Sequence, residues 1–275
     1  MLEIELLSGR SDVVLGQFQV DHMASLYNAQ KYDIANQLVG TIQKIVNVDL
    51  HSMLFEDFKS LLAMIDKTSW TDGHRIFEWR CSRPYYATMN GQRHYERPTG
   101  RRFEQIDCKA LNTEELPRTR VKMSKLRTLP DGMVYPTVGR WLEAHSLKDA
   151  YGSVPFDVMW IDSDLPLKQT IDLVPPDDLI EVRRNKHSCV EIELNLTCNS
   201  CLRKYRVLQD MDALHFLRVL SEESVMTMTH DIAVHRKVMC PPTFSIKELF
   251  YWHGMLIKDL QKQAEKIALE KGKRG

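Results

Sequence analysis

The chain has 275 residues, of which 43% are hydrophobic and 27% are charged, which indicates an ordinary globular protein with a sizeable buried core. Lys and Arg together number 37, as do Asp and Glu, and this zero net charge disfavours a protein held to nucleic acid by bulk charge. No apolar run approaches the ~20 residues that span a bilayer, and the first residues lack the pattern of a signal peptide. We therefore expect a soluble cytosolic protein that has no membrane partner.

Residues 1–73 are predicted to be mainly helical. After a short alternating strand at the start, apolar residues recur at every third or fourth position from Asp21 to Val48, which predicts one helix with Asp21 as its N-cap. A second helix is predicted over 53–66. Its apolar stripe consists of Leu54, Phe58, Leu61, Leu62 and Ile65.

Residues 74–135 form a predicted basic region of strands and hairpins. The segments HRIFEWRC and RRFEQIDC alternate as strands do and end in Cys81 and Cys108, and LNTEEL after them is predicted to begin a helix. From Arg80 to Arg127 there are twelve Lys or Arg residues and five Asp or Glu residues. Basic residues interleaved with Tyr85, Tyr86, Tyr95 and Phe103 suit single-stranded nucleic acid, whereas a surface hairpin anchored by these rings is the interpretation that the neutral chain favours.

Residues 136–242 are predicted to form a second α+β region. A short helix follows Thr137, a strand is predicted over 157–160, and CVEIELNLTC alternates more strictly than any other segment before a helical pattern from Met211 to Met228. Residues 157–181 contain seven acidic residues and one lysine. The acidic and the basic segments are either two solvated loops or complementary patches that meet between domains or between copies of the chain.

Residues 243–275 are predicted to form a C-terminal helix and a charged tail. Ser245 and Glu248 have the spacing of a capping box. The apolar stripe of the helix consists of Leu249, Trp252, Leu256 and Leu260. Together, the four regions predict an α+β fold in which helices outnumber short antiparallel strands, with a strand, cysteine knuckle, strand and helix order that is a candidate duplication.

The spacing Cys198-x-x-Cys201 is the one motif that has a recognised chemical meaning. Two thiolates at the tip of a hairpin suit a tetrahedral zinc ion, which needs four ligands. Cys240 is the predicted third ligand, and the candidates for the fourth are Cys81, Cys108, His187, His215 and His235. Cys189 is disfavoured because it lies at the far end of the strand, ~30 Å from Cys198. A structural zinc, free thiols and redox chemistry remain alternatives, the last being weakest because the motif follows a strand and not a βαβ turn.

Signatures of catalysis are missing from the sequence. The chain contains no GxxxxGK[ST], GxGxxG, HExxH or GxSxG motif. Its paired carboxylates stand at predicted helix starts or in loops, where they complement helix dipoles. We therefore predict a protein that is not an enzyme.

The order of elements resembles the baseplate hub and baseplate assembly proteins of contractile-tailed bacteriophages. The matching segments are 57–70 with Cys81, and 190–201, which together cover about a third of the chain. The pattern is an aspartate-containing helix before a cysteine-bearing strand, with a charged helix at the end. The chain departs from it at Pro84, which replaces a second knuckle cysteine, and in the long basic insertion after Tyr86.

This resemblance implies a structural or assembly role in a tail baseplate, with other tail proteins and further copies of the chain as partners. The location would be the virion, after synthesis in the host cytoplasm. The alternative function is a zinc-stabilised nucleic-acid-binding protein that uses residues 80–127. A cysteine-dependent redox enzyme is a third hypothesis.

Overall fold

The computed structural model describes residues 2–69, 74–81, 84–88, 93–94, 103–117, 120–217, 219–241 and 243–272. Helix accounts for 51% of the structure and strand for 16%, and the sheets are small and antiparallel. The predicted α+β fold in which helices outnumber strands is therefore confirmed. No helix within these ranges is long and apolar enough to cross a membrane.

The described chain divides into two compact units that are both discontinuous in sequence. Unit 1 consists of residues 1–71, 123–190 and 211–275, and unit 2 consists of residues 72–122 and 191–210. The boundaries predicted from composition, at 73/74, 135/136 and 242/243, place the CxxC hairpin with residues 136–242. In the structure the hairpin belongs to unit 2, together with the strands that carry Cys81 and Cys108.

The elements of unit 1 are mostly helices, with a two-stranded antiparallel sheet at the start. Its strands are β1 (Leu2–Ile4) and β2 (Val13–Leu15). Its helices are α1 (Val20–Lys31), α2 (Ala35–Gln43), α3 (Phe55–Ser69), α4 (Val138–Tyr151), α5 (Val154–Val158), α6 (Leu167–Leu173), α7 (Pro176–Asn185), α8 (Ala213–Phe216), α9 (Glu222–Arg236) and α10 (Ile246–Gly272).

Strands account for the regular structure described in unit 2. They are β3 (His74–Arg80), β4 (Pro84–Thr88), β5 (Arg93–His94), β6 (Phe103–Asp107), β7 (Leu111–Pro117), β8 (Arg120–Met123), β9 (Val190–Thr197) and β10 (Lys204–Asp210), of which β8 and β9 begin or end one residue outside the unit. They pair as β3-β7, as β5-β4-β6 and as β10-β9-β8. The β9–β10 hairpin pairs from Glu191 opposite Asp210 to Thr197 opposite Lys204, so its tip carries the CxxC motif.

Helix α3 forms the centre of the core of unit 1. Four of the five residues predicted for its apolar stripe, Phe58, Leu61, Leu62 and Ile65, are completely buried. Trp141 of α4 stacks on Phe55, with ring centroids 4.9 Å apart, and packs against Phe58. The period of the sequence therefore predicted the central helix of the fold correctly.

A buried ion pair lies on the same helix. The Lys59 ammonium is 2.7 Å from a Glu56 carboxylate oxygen, and the two side chains are 1% and 0% exposed. The Glu56 carboxylate also accepts the backbone N–H of Cys189 at 2.7 Å, while Lys59 donates to the Ser188 hydroxyl at 2.7 Å. These bonds fasten α3 to the chain just before β9, about 130 residues later in the sequence, because buried charges are stable only when they are paired and hydrogen-bonded.

Three helix predictions in unit 1 require correction. The predicted helix from Asp21 to Val48 is two helices, because Asp33 adopts a left-handed conformation (φ 57°) between α1 and α2. The N-cap of α1 is Gln19, whose backbone N–H donates to His22, and not Asp21. The helix predicted from Met211 to Met228 is likewise divided into α8 and α9, the latter capped by Ser221.

The strand predicted over 157–160 is also wrong, because the chain there forms the end of helix α5 and the turn that follows it. Pro155 lies in the first turn of α5, where a missing N–H costs nothing. The buried Asp157 carboxylate accepts hydrogen bonds from Arg183 at 2.7 Å and Lys186 at 2.9 Å, which fixes α5 against α7.

In unit 2, LNTEEL does not begin a helix but forms strand β7, which pairs along its whole length with β3. The second half of the candidate duplication does continue into a helix, α8. The two halves therefore differ in element order after their second strand.

The C-terminal helix agrees with its prediction. The Ser245 hydroxyl accepts the backbone N–H of Glu248 at 3.1 Å, and the Glu248 carboxylate accepts the backbone N–H of Ser245 at 3.0 Å, which completes the predicted capping box. Leu249 and Leu256 are buried, and Trp252 packs on the cluster formed by Met228, Ile232 and Leu249.

Candidate metal centre

Four cysteines of unit 2 meet in one buried group. The Sγ atoms of Cys81, Cys108, Cys198 and Cys201 all lie within 4.8 Å of one another, and all four residues are buried. They could therefore hold a metal ion.

Three chain segments bring these thiols together. Cys81 follows β3, Cys108 follows β6, and Cys198 and Cys201 form the turn between β9 and β10. Residues separated by more than a hundred positions thus become neighbours because each stands at the end of a strand.

The spacing of the thiols suits a tetrahedral ion. Zinc–sulfur bonds of about 2.3 Å in a tetrahedron place the sulfur atoms about 3.8 Å apart. Cys81 Sγ is 3.6 Å from Cys201 Sγ, and Cys108 Sγ is 3.8 Å from Cys198 Sγ. Two of the sulfur–sulfur distances therefore match those of a four-thiolate site, and the remaining ones are at most 4.8 Å.

The knuckle between β9 and β10 is fixed by its own backbone. Cys198 donates its N–H to the carbonyl of Arg203 at 2.9 Å, and Leu202 donates its N–H to the carbonyl of Cys198 at 2.8 Å. Leu202 adopts a left-handed conformation (φ 57°) that a residue with a side chain takes only at a cost. The backbone N–H of Cys201 points to Cys198 Sγ at 3.5 Å, so the turn presents a donor to a thiolate.

Asn112 connects the turn that carries Cys198 and Cys201 to the backbone beside Cys81. It is 1% exposed, accepts the backbone N–H of Asn199 at 2.8 Å, and donates to the carbonyl of Ala110 at 3.0 Å. The same carbonyl accepts the backbone N–H of Cys81 at 3.0 Å. One buried amide therefore holds the position of Cys81 relative to the turn that carries Cys198 and Cys201.

Tyr205 supplies a hydroxyl to the group. Its Oη is 3.0 Å from Cys81 Sγ, and the guanidinium of Arg203 lies 5.0 Å from the centre of its ring. Burial raises the pKa of Tyr205 to about 12, and the hydrogen bond with Cys81 acts in the same direction. The phenol therefore keeps its proton and can donate it to a thiolate at Cys81, in the manner of groups that orient metal ligands from outside the coordination shell.

The two knuckle thiols differ in acidity. Burial opposes ionisation of Cys198, but the backbone N–H groups of Cys201 and Ser200 outweigh it and lower the pKa of Cys198 to about 6. Burial, followed by hydrogen bonds to neighbouring thiols, raises the pKa of Cys201 to about 12. Four adjacent buried thiols ionise together only when a cation neutralises them, so metal binding and proton release are coupled in such a site.

The predicted third ligand, Cys240, does not belong to this group. It lies in unit 1, half-buried beside the cluster of Met228, Ile232 and Leu249, and burial raises its pKa. It follows α9 and precedes α10, and the packing of these two helices determines its position. Cys81 and Cys108, which the sequence offered as candidates for the fourth ligand, complete the set instead.

The other candidate ligands also lie outside the group. His187, His215 and His235 belong to unit 1, as does the buried Cys189, whose Sγ lies 3.8 Å from the Tyr135 hydroxyl. The exclusion of Cys189 by its distance along the strand therefore agrees with the structure.

Sequence reasoning missed Asn112 and Tyr205 entirely. The available signal for the cysteines was that both FEWRC and FEQIDC end in a thiol, as the first strand of the CxxC hairpin does. The predicted stacking residues for nucleic acid cannot be placed in the same way, because Tyr95 and the side chains of Tyr85, Tyr86 and Phe103 lie outside the described residues.

Comparison of the chain with known protein families, with curated proteins and with solved structures finds no match. The expected resemblance to baseplate proteins is not tested by these comparisons and stays a prediction.

Proposed function

We propose that this protein is a non-enzymatic structural or assembly component of a bacteriophage tail baseplate, and that a zinc ion bound by Cys81, Cys108, Cys198 and Cys201 stabilises unit 2. The observation that carries the metal part of this proposal is the buried four-sulfur group, in which two sulfur–sulfur distances match those of a tetrahedral zinc site. Thiolates favour zinc over hard cations such as magnesium and calcium.

The ligand set supports a structural role for the metal. Catalytic zinc sites keep one position open for water or substrate, whereas four protein ligands close the coordination sphere. All four ligands are at most 5% exposed, so a bound ion would be shielded from solvent. A centre of this kind contributes to folding and leaves the activity of the protein to its surfaces.

The baseplate assignment draws its support from the resemblance over 57–70 with Cys81 and over 190–201. Segregated surface charge agrees with a protein that acts through contacts with neighbouring chains.

The metal part is tested on the purified full chain. We expect one zinc per chain by elemental mass spectrometry, and a cobalt-substituted form with the intense thiolate charge-transfer and tetrahedral absorption bands of a four-sulfur site. Cys108→Ser should abolish stoichiometric binding, whereas Cys240→Ser should leave it intact. Protein purified without any metal that also fails to take up cobalt would contradict this part.

The baseplate part is tested by quantitative mass spectrometry of purified phage particles and of assembly intermediates from the source. A stable stoichiometric copy number in particles identifies a permanent component. Presence only in the intermediates identifies an assembly factor. Absence from both would contradict the assignment.

A zinc-stabilised nucleic-acid-binding protein is the second candidate, and the charge of unit 2 favours it. Its exposed basic side chains include Arg80, Lys109, Lys122, Arg203 and Lys204. Phosphate contacts release counterions, so binding to DNA or RNA that weakens steeply with added salt would support this candidate.

A further inference from the structure

Strand β10 forms one edge of the β10-β9-β8 sheet within the described residues. Six of its seven residues are exposed, and the seventh, Tyr205, is half-buried against Cys81. Successive side chains of a strand point to opposite faces, so both faces of β10 are open to solvent around Val207 and Leu208, which are 38% and 43% exposed. An open edge strand of this kind is a template for pairing with another strand.

The hydrogen bonds at the two ends of the β9–β10 hairpin determine which backbone groups of β10 face outward. Cys198 donates its N–H to the carbonyl of Arg203 at 2.9 Å, and Met211 donates to the carbonyl of Val190 at 3.3 Å, both in the register of the hairpin. Hydrogen-bonded and non-hydrogen-bonded pairs alternate along an antiparallel ladder. The odd-numbered residues of β10 therefore direct their backbone groups to β9, and the even-numbered residues direct theirs outward. The outward-facing residues are Lys204, Arg206, Leu208 and Asp210.

The sequence of β10, KYRVLQD, is complementary in charge to a second copy of itself. When two such strands run antiparallel with Val207 opposite Val207, Lys204 of each copy lies opposite Asp210 of the other. Opposite charges at directly facing positions stabilise a pair of strands. The charge of Arg206 is balanced within its own hairpin by Glu193, at 2.6 Å.

The same register agrees with the directions of the backbone groups. It makes the four outward-facing residues the hydrogen-bonded pairs, and it places Val207 at the non-hydrogen-bonded position on the two-fold axis, where facing side chains lie closest. A shift by two residues in one direction places Arg206 opposite itself, and a shift in the other direction leaves Lys204 beyond the end of the partner strand. The register centred on Val207 is therefore the one that pairs all seven residues.

We propose that β10 of one copy of this protein pairs antiparallel with β10 of a second copy, which joins two three-stranded sheets into one continuous sheet. The contact uses the same surface on both copies, so it is two-fold symmetric and closes at a dimer. Main-chain hydrogen bonds supply the affinity when a strand is added to a sheet edge. The charge pairs at both ends favour a second copy over an unrelated strand.

This inference rests on the proposed assembly role and deepens it by identifying a partner, a second copy of the chain. Zinc content tests the metal centre, and the composition of phage particles tests the baseplate role. Self-association of the purified full chain tests the strand contact, so each of the three can fail without the others.

The test exchanges the charges at the ends of β10 in the full-length chain. Lys204→Asp leaves a carboxylate at both ends of the strand and Asp210→Lys leaves an ammonium at both ends, so each variant alone should dimerise at least about tenfold more weakly than the native chain in analytical ultracentrifugation. A mixture of the two variants should form heterodimers of native strength, and the double variant should dimerise as the native chain does. Lys122→Asp, which makes the same charge change on β8 at the opposite edge of the sheet, is the control and should not weaken dimerisation.

A proline variant tests the backbone part of the contact. Leu208→Pro removes an outward N–H that β9 does not use, and an edge strand tolerates proline in this orientation, so the dimer should be lost while the metal content and the unfolding transition stay native. In the native chain, hydrogen exchange at the amides of Arg206 and Leu208 should slow as the protein concentration rises. A native chain that stays monomeric up to about 1 mM, or a mixture of the two charge variants that associates no more strongly than either alone, would overturn the proposal.

Discussion

The two units of this protein bury different kinds of side chain. Unit 1 buries large apolar side chains such as Phe58, Leu61 and Ile65 completely, whereas the buried side chains described in unit 2 are the four cysteines with Asn112, Leu194 and Leu196. Below roughly 70–80 residues a hydrophobic core alone rarely stabilises a fold, so small units need a cross-link such as a metal. Among the described residues, four of the seven buried side chains of the smaller unit are therefore thiols.

The largest expected effect is the loss of unit 2 when the metal site is broken. Cys81→Ser, or removal of zinc with a chelator, should remove an apparent binding free energy on the order of 10 kcal/mol that is also folding free energy. Hydrogen exchange should then show loss of protection in β9 and β10 with α3 still protected. Cys240→Ser is the matched control. Equal protection of β9 in metal-free and metal-loaded protein would show that unit 2 does not depend on the ion.

The next effect should appear in unit 1 alone. Glu56→Ala leaves the Lys59 ammonium buried without its carboxylate and removes the acceptor of the Cys189 N–H, which should cost about 3–5 kcal/mol. Urea denaturation followed by tryptophan fluorescence measures this cost, and zinc content should not change. Glu181→Ala at an exposed position is the control. A cost below that of the control would show that the ion pair does not stabilise unit 1.

A smaller effect is expected at the start of α10. Trp252 is only partly buried against the cluster of Met228, Ile232 and Leu249, so Trp252→Ala should lower the free energy of unfolding by about 2 kcal/mol, less than a fully buried tryptophan would. Thermal unfolding measures the change. Lys247→Ala, at an exposed residue in the first turn of the same helix, should be nearly neutral. An unchanged melting temperature for Trp252→Ala would contradict the packing.

The smallest effect concerns pH. Burial lowers the pKa of His145 below its usual 6.5, so the unfolded chain binds a proton more readily than the folded one. The resulting stability is complete above pH 6.5 and is lost as the pH falls through 6.5 toward the folded pKa. His145→Phe keeps a ring against Trp141 and Phe156 and should flatten the decline in urea midpoint over this range. Burial also lowers the pKa of His22. Part of the decline in urea midpoint should therefore remain in the His145→Phe variant.

Periodic and capping patterns predicted the elements whose signals are local. The stripe of α3, the alternation of β9, and the capping box of Ser245 with Glu248 all reflect contacts that adjacent turns or strands impose. The break at Asp33 was missed because the apolar spacing continues across it, and only the left-handed backbone of that residue divides the helix.

Two of the four cysteines of the candidate metal site were predicted as ligands, and the reason for this division is physical. Cys198 and Cys201 are found by their spacing, which reflects the geometry of one turn. Cys81 and Cys108 become their neighbours through packing between segments of long sequence separation, which no local pattern encodes. Cys240 was preferred to them on grounds of position in the sequence, and the packing of α9 on α10 overrides that argument.

The interleaving of the two units has a consequence for synthesis on the ribosome. Cys81 and Cys108 are made long before Cys198 and Cys201, and the segment between them, residues 123–190, belongs to unit 1. Unit 1 in turn lacks α8, α9 and α10 until the end of translation. Neither unit can therefore be completed before the knuckle at Cys198 has left the ribosome. Domains that are continuous in sequence fold one after another as they emerge, whereas here both units mature late and nearly together.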